Sequence, residues 1–247
     1  MPTHLRAFLS SAAAVSAFAG SGLLLGLPSA QAAVPTCFGH PATVIGTPGD
    51  DSISPEPGAV VYGGGGNDSI NFSGGYVCGG PGDDNLSGEQ DEAAAEHVNG
   101  GPGADRLQGY FGVDTLLGGG GDDLLDDTDD FDYGDAIDPG TDILRGGPGD
   151  DLVRSTSGAD KVYGDAGNDT LYDVTRMTTY LYGGIGNDTI HATGDNFGCN
   201  DLEPDYIFGG AGWDTALIDL EFQAADVWSP STERLIVQFH QSGNDCP

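Results

Sequence analysis

The chain has 247 residues, with 39 Asp and Glu against 7 Lys and Arg, for a net charge of −32. So large an acidic excess repels nucleic acid and anionic membranes, and neither is expected as a partner. High charge also favours an unfolded chain, but 38% hydrophobic residues and 9 tyrosines fit a chain that folds once cations neutralise its acids.

In chain order, Met1 to Arg6 gives a short positive start, Ala7 to Leu27 is apolar and small, and Ala30-Gln31-Ala32 offers a small-x-small cut. This layout predicts a secretory signal peptide over residues 1–32. No charged stop-transfer segment follows, which argues against a membrane anchor. The expected product is secreted and extracellular, without membrane insertion. Cys37, Cys78, Cys199 and Cys246 lie beyond the cut, and an even count in an exported chain reads as two disulfides with three connectivities open. Two lie near the start and two near the end, which favours Cys37–Cys78 and Cys199–Cys246. The absence of a C-x-x-C pair argues against zinc and thioredoxin-type redox roles.

Glycine contributes 43 residues, and they recur in a fixed frame. Gly63-Gly64-Gly65-Gly66-Asn67-Asp68-Ser69-Ile70-Asn71 fits G-G-x-G-x-D-x-U-x, where U is a large apolar residue. The frame begins again at Gly46, Gly79, Gly100, Gly109, Gly118, Gly146, Gly164, Gly183 and Gly209, with weaker copies from Ile137 and Ser155. Glycines at positions one, two and four are expected to give positive φ in a tight turn and to expose carbonyls. Aspartate at position six sets a carboxylate beside them. Position eight is read as Ile53, Ile70, Leu86, Leu107, Leu116, Leu125, Ile143, Val153, Val162, Leu171 and Ile190. Side chains alternate faces along a strand, so these residues build a narrow inward ladder that needs stacked neighbours.

Over residues 46–217 these copies resemble RTX-type (hemolysin-type) calcium-binding nonapeptide repeats. The resemblance implies an all-β parallel β-roll, with two nonapeptides per eighteen-residue coil and Ca²⁺ held between turns stacked one coil apart. It makes Asp51, Asp68, Asp84, Asp105, Asp114, Asp123, Asp132, Asp142, Asp151, Asp160, Asp169, Asp188 and Asp214 the candidate ligands of several calcium ions. Calcium is a hard cation that takes carboxylate and carbonyl oxygens, and Gly/Asp turns supply both. The five histidines are far apart and serve nitrogen-preferring metals poorly.

Tested against an eighteen-residue coil, the aspartate spacing predicts two columns. One runs Asp51, Asp68, Asp84, Asp105, Asp123, Asp142, Asp160, and the other Asp114, Asp132, Asp151, Asp169, Asp188, Asp214. This assignment takes Ala136 as a single extra residue. Residues 88–99 read as an insertion with a short helix or flexible loop, and 192–208 as a second. The β-roll is expected over 33–217, followed by a capping segment over 218–247 with strands near Leu217-Ile218 and Arg234 to Phe239.

No catalytic constellation emerges: H-E-x-x-H is absent, G-x-S-x-G is absent beyond residue 32, and Glu96-His97 reads as a solvated pair. Asp126 to Ala136 fails the EF-hand spacing. RTX proteins usually leave the cell through an uncleaved C-terminal signal, whereas this chain carries an N-terminal one. It therefore looks like the short secreted calcium-binding forms made almost wholly of repeats, not an enzyme or toxin. The alternative is a calcium-dependent adhesion or carbohydrate-binding module with a cell-surface or glycan partner. A polysaccharide-active enzyme is a further alternative.

Overall fold

The computed structural model describes residues 33–89, 94–127, 140–156, 158–174, 177–192, 205–219, 227–229 and 235–240. The signal-peptide expectation, Asp132 and the Cys199–Cys246 pairing all lie outside these residues.

Two ten-stranded sheets, parallel throughout, alternate along the chain. The first sheet runs from Ser52–Ile53 to Leu235–His240, and the second from Val44–Ile45 to Val227–Ser229. Each coil adds one short strand to each sheet, so strands adjacent in space are separated in sequence by a full coil. The strands after the last repeat continue this pattern: Leu235–His240 pairs with Asp214–Asp219, and Val227–Ser229 with Tyr206–Ala211. At the other end a two-stranded hairpin, Thr36–Cys37 with His40–Pro41, is tied to Gly75–Cys78 by a Cys37–Cys78 disulfide. Phe38 packs edge-on against His97, while His40 stacks on Tyr76 at 4.1 Å.

The core is two facing aliphatic ladders one residue wide. Ile70, Leu86, Leu107, Leu125, Val153, Leu171 and Ile190 fill one, and Val61, Val77, Val98, Leu116, Leu144, Val162, Leu181 and Ile207 the other. All are buried, as period-two alternation requires when each short strand has one inward position. Ile143 is an exception to the sequence reading. It is 39% exposed, and Leu144 beside it is fully buried and pairs with Leu116. The frame from Ile137 places Asp142 at position six, so position eight falls on Leu144 and position seven on Ile143.

The expected insertion at 88–99 is shorter than its spacing suggested, because Glu96–Pro102 is a strand of the second sheet. The outer face of that sheet carries ring ladders. Tyr163, Tyr182 and Phe208 stack at 4.8 and 4.7 Å, and Tyr180 stacks on Tyr206 at 4.7 Å. These separations are the inter-strand spacing of a sheet, so each ring lies over its neighbour one coil away.

Leu144→Ala in calcium-saturated protein should lose about 2–5 kcal/mol of unfolding free energy in a urea titration. Ile143→Ala should lose about 1 kcal/mol or less. Comparable losses at both positions would mean the register is shifted by one residue.

Candidate metal centre

The six-residue G-G-x-G-x-D turns that lead from the second sheet to the first form one edge of the roll. Positions two and four take positive φ as expected: Gly119 at 119° and Gly121 at 127° are typical. Position one does not. Gly118 keeps an ordinary φ, and its glycine is needed for space, because a Cβ there would meet the Asp123 Oδ2 atom and the Gly146 carbonyl oxygen. The same holds at Gly63, where a Cβ would lie 2.5 Å from both Asp68 Oδ2 and the Gly79 carbonyl oxygen. Each such turn therefore keeps a small slot lined by a carboxylate oxygen, and at Gly46, Gly63, Gly79, Gly100, Gly118, Gly164 and Gly183 a glycine carbonyl of the next coil faces it.

The position-six aspartates form a continuous hydrogen-bonded row. Each accepts, through Oδ1, the backbone N–H of the corresponding aspartate one coil earlier, at 2.7–3.1 Å. The row runs Asp51, Asp68, Asp84, Asp105, Asp123, Asp151, Asp169, Asp188, Asp214. From Asp68 onward the side chains are buried, and Oδ2 has no hydrogen-bond partner. A buried carboxylate oxygen without a partner carries an uncompensated desolvation cost, so a row of them facing glycine carbonyls fits a hard cation.

This row departs from the two columns expected from spacing. Asp142 and Asp160 do not follow Asp123; Asp151 does, because Leu125 pairs with Val153 across 28 residues and Leu116 with Leu144. The coil is lengthened by ten residues at a turn, not by one at Ala136. Ten extra residues are one nonapeptide plus one, which is why spacing alone carried Asp123 to Asp142.

The opposite edge carries the second row. Glu96 N–H bonds to Asp114 Oδ1, Asp114 N–H to Asp142 Oδ1, and Asp142 N–H to Asp160 Oδ1, at 2.7–2.8 Å. Glu96, read from sequence as solvated, is 1% exposed and occupies a position-six place. Its Oε1 accepts the Gly74 N–H at 3.1 Å, and its Oε2 is buried without a hydrogen-bond partner. The residues between Gly88 and Glu96 break the repeat and hid it. Also missed was a ladder at position five: Asp50, Asn67, Asp83, Asp122, Asp150, Asn168 and Asn187 each accept the N–H of the next coil's position-five residue where that bond is formed. Its signal was present in the recurring Asp or Asn at that position.

Burial raises the carboxyls of Asp84, Asp123 and Asp188 to about 7 and those of Asp105, Asp151 and Asp169 to about 6, with the N–H bond from the preceding coil opposing the shift. Glu96 is pushed to about 9, first by burial and then by the Asp114 charge. Without a cation these rows hold protons more tightly than an unfolded chain does.

The fold and its edges define a parallel β-roll with two rows of buried carboxylates at its turns. The family model of the RTX calcium-binding nonapeptide repeat (4 copies) matches residues 60–76, 93–125, 137–171, 180–196 and 203–216, so the chain carries RTX calcium-binding repeats. A comparison with curated proteins returned no match.

Raised carboxyl pKa values stabilise the metal-free fold fully below the unfolded value of about 4, and that stability is lost as pH rises through about 6–7. In chelator, the β signal in circular dichroism should therefore grow as pH falls from 8 to 5. Calcium requires ionised carboxylates, so its apparent affinity should fall over the same range. A metal-free spectrum unchanged with pH would contradict the burial of these rows.

Proposed function

We propose that this chain is an exported calcium-binding β-roll whose folding is coupled to Ca²⁺, with a structural role outside the cell. The observation that carries this reading is the repeated slot of the first edge: a buried carboxylate oxygen without a partner opposite a glycine carbonyl of the next coil. Asp51, Asp68, Asp84, Asp105, Asp123, Asp151, Asp169, Asp188 and Asp214 would hold cations along that edge, and Asp114, Asp142 and Asp160 along the other. Bound calcium supplies positive charge between stacked carboxylates. The residues supply everything else: Oδ1 is fixed on an amide, Oδ2 is aimed into the slot, and the position-one glycine keeps the slot open.

Coupling to folding follows from the thin core. Each strand buries one aliphatic side chain, so the ladders offer little to offset rows of like charge. Extracellular calcium modules work at about 10⁻⁴–10⁻³ M, which would leave the chain loose before export and let it fold outside. The N-terminal segment 1–32 as a signal peptide, the roll over 33–217 and a capping segment over 218–247 complete this reading.

An adhesive reading has one observation in its favour, the half-buried aromatic ladder of Tyr163, Tyr182 and Phe208 beside Tyr180 and Tyr206. Stacked rings cover one another's faces, which leaves fewer of them for sugar CH groups. Calcium-dependent binding on a glycan array, abolished by Tyr182→Ala, would support it.

The deciding test is calorimetric calcium titration of chelator-stripped protein, with circular dichroism in parallel. Several ions should bind with a coupled gain of β structure, and Asp123→Asn should lower the number bound. No binding at several millimolar Ca²⁺ would overturn the proposal.

A further inference from the structure

The second edge departs from the repeat at position one from Asp127 onward. In register down that edge, position one is Gly88, Gly109, Asp127, Ser155, Asp173 and Ala192. On the first edge the corresponding place is a glycine throughout, and its missing side chain keeps the slot open. Asp127 therefore projects a carboxylate into a slot that on the first edge holds none at this position; among the described residues of the second edge Asp173 does the same.

Its neighbours there are acidic too. Carboxylate oxygens of Asp127, Asp142 and Asp160 all lie within 4.8 Å of one another, and the three residues are 0–1% exposed. Their orientations are set by hydrogen bonds from the scaffold. Asp127 Oδ1 accepts both the N–H and the hydroxyl of Thr156, at 2.8 and 3.1 Å. Asp160 Oδ2 accepts the Ser155 hydroxyl at 2.7 Å, and its Oδ1 accepts the Asp142 N–H at 2.8 Å. Asp142 Oδ1 accepts the Asp114 N–H at 2.7 Å. Asp127 Oδ2 is left buried with no hydrogen-bond partner. Arg154, nearby in sequence, pairs with Asp126 instead.

We propose that Asp127, Asp142 and Asp160 form a three-carboxylate site for a hard cation, distinct in composition from the glycine-carbonyl slots and tighter than they are. Three buried carboxylates exceed the charge of one divalent ion, and affinity for calcium rises with the number of charged ligands and the rigidity of the site. Both conditions hold here: every member is positioned by at least one scaffold bond, and the charge count is higher than in a slot with one carboxylate from its own turn. Asp173 repeats the position-one acid but has Thr179 at position six of its turn, with Asp205 one coil on. That place has one fewer carboxylate and makes a natural control. The site stands whether or not the first edge holds calcium.

The test is a terbium and calcium titration of the whole chain, read by calorimetry and lanthanide luminescence. The wild type should show one tight step before any weaker set. Asp127→Asn keeps the acceptor for Thr156 and should weaken the tight step roughly tenfold or more, lowering the stoichiometry of the tight class by one. Asp173→Asn should leave that step in place. Asp127→Gly restores the residue the repeat has here; it should show the same loss and serves as the readout if the Asn variant fails to fold. A wild type without a separate tight step would overturn the proposal, as would a folded Asp127→Asn or Asp127→Gly variant that retains the step unchanged.

Discussion

A parallel roll of identical turns places each acidic side chain directly over another of the same sign. Every other feature of this molecule answers that constraint. The backbone gives a partial answer by itself: one oxygen of each carboxylate accepts an amide N–H from the neighbouring coil, which orients the side chain and offsets part of its desolvation. The second oxygen cannot be served in this way, because the turn amides around it already bond to carbonyls of adjacent coils, as Gly80 does to Gly100. A row of half-satisfied carboxylates is thus a property of the stacking itself, and it makes the fold depend on whatever neutralises the row.

The remaining interactions are too thin to carry the roll alone. Each coil contributes two inward aliphatic side chains, enough to set register but less than a globular core of this length would bury. Lateral ladders add to it. The position-five Asp and Asn residues link exposed amides coil to coil, and the aromatic stacks on the second sheet repeat at the strand spacing. Arg145 bonds to Asp165 and lies over the Tyr163 ring, so one of the few cations is used to join adjacent coils on that face. Asp165 stands at a position-two place with φ 76°, a conformation taken by glycine at Gly64, Gly80, Gly101, Gly119, Gly147, Gly184 and Gly210 on the same edge, and it bonds there to Arg145.

Much of this was legible in the sequence because the repeat writes each constraint at a fixed place. Position eight announced the ladders, and position six the acidic rows. What escaped was hidden by length. The ten extra residues between Asp127 and Asp142 imitate one nonapeptide, so spacing alone carried Asp123 to Asp142 when strand pairing carries it to Asp151. Glu96 escaped for the same reason, since its turn has lost the glycine frame that marks position six elsewhere. Position-one glycines were assigned to the wrong cause: φ is ordinary there, and only the approach of a carboxylate and a carbonyl one coil away explains them. Sequence periodicity reports which residue recurs, not which neighbour one coil distant makes it necessary.

The two edges differ in a way that follows from these constraints. On the first edge every turn from Gly46 to Asp214 has six residues, and both Asx ladders run along it. On the second edge the turns vary. The stretches between Gly88 and Glu96, Asp127 and Asp142, Asp173 and Thr179, and Ala192 and Asp205 are all longer than the repeat. The cost of closing a longer loop grows slowly with length, and the position-six acceptors of this edge stay in step across the additions, as the Asp114–Asp142 and Thr179–Asp205 bonds do; repeat proteins commonly collect their insertions on one face. The edge that tolerates insertion is also the edge on which Asp127 could replace a glycine. Uniformity on one side therefore preserves a continuous rail of equivalent slots, while irregularity on the other is where a single slot can differ from the rest.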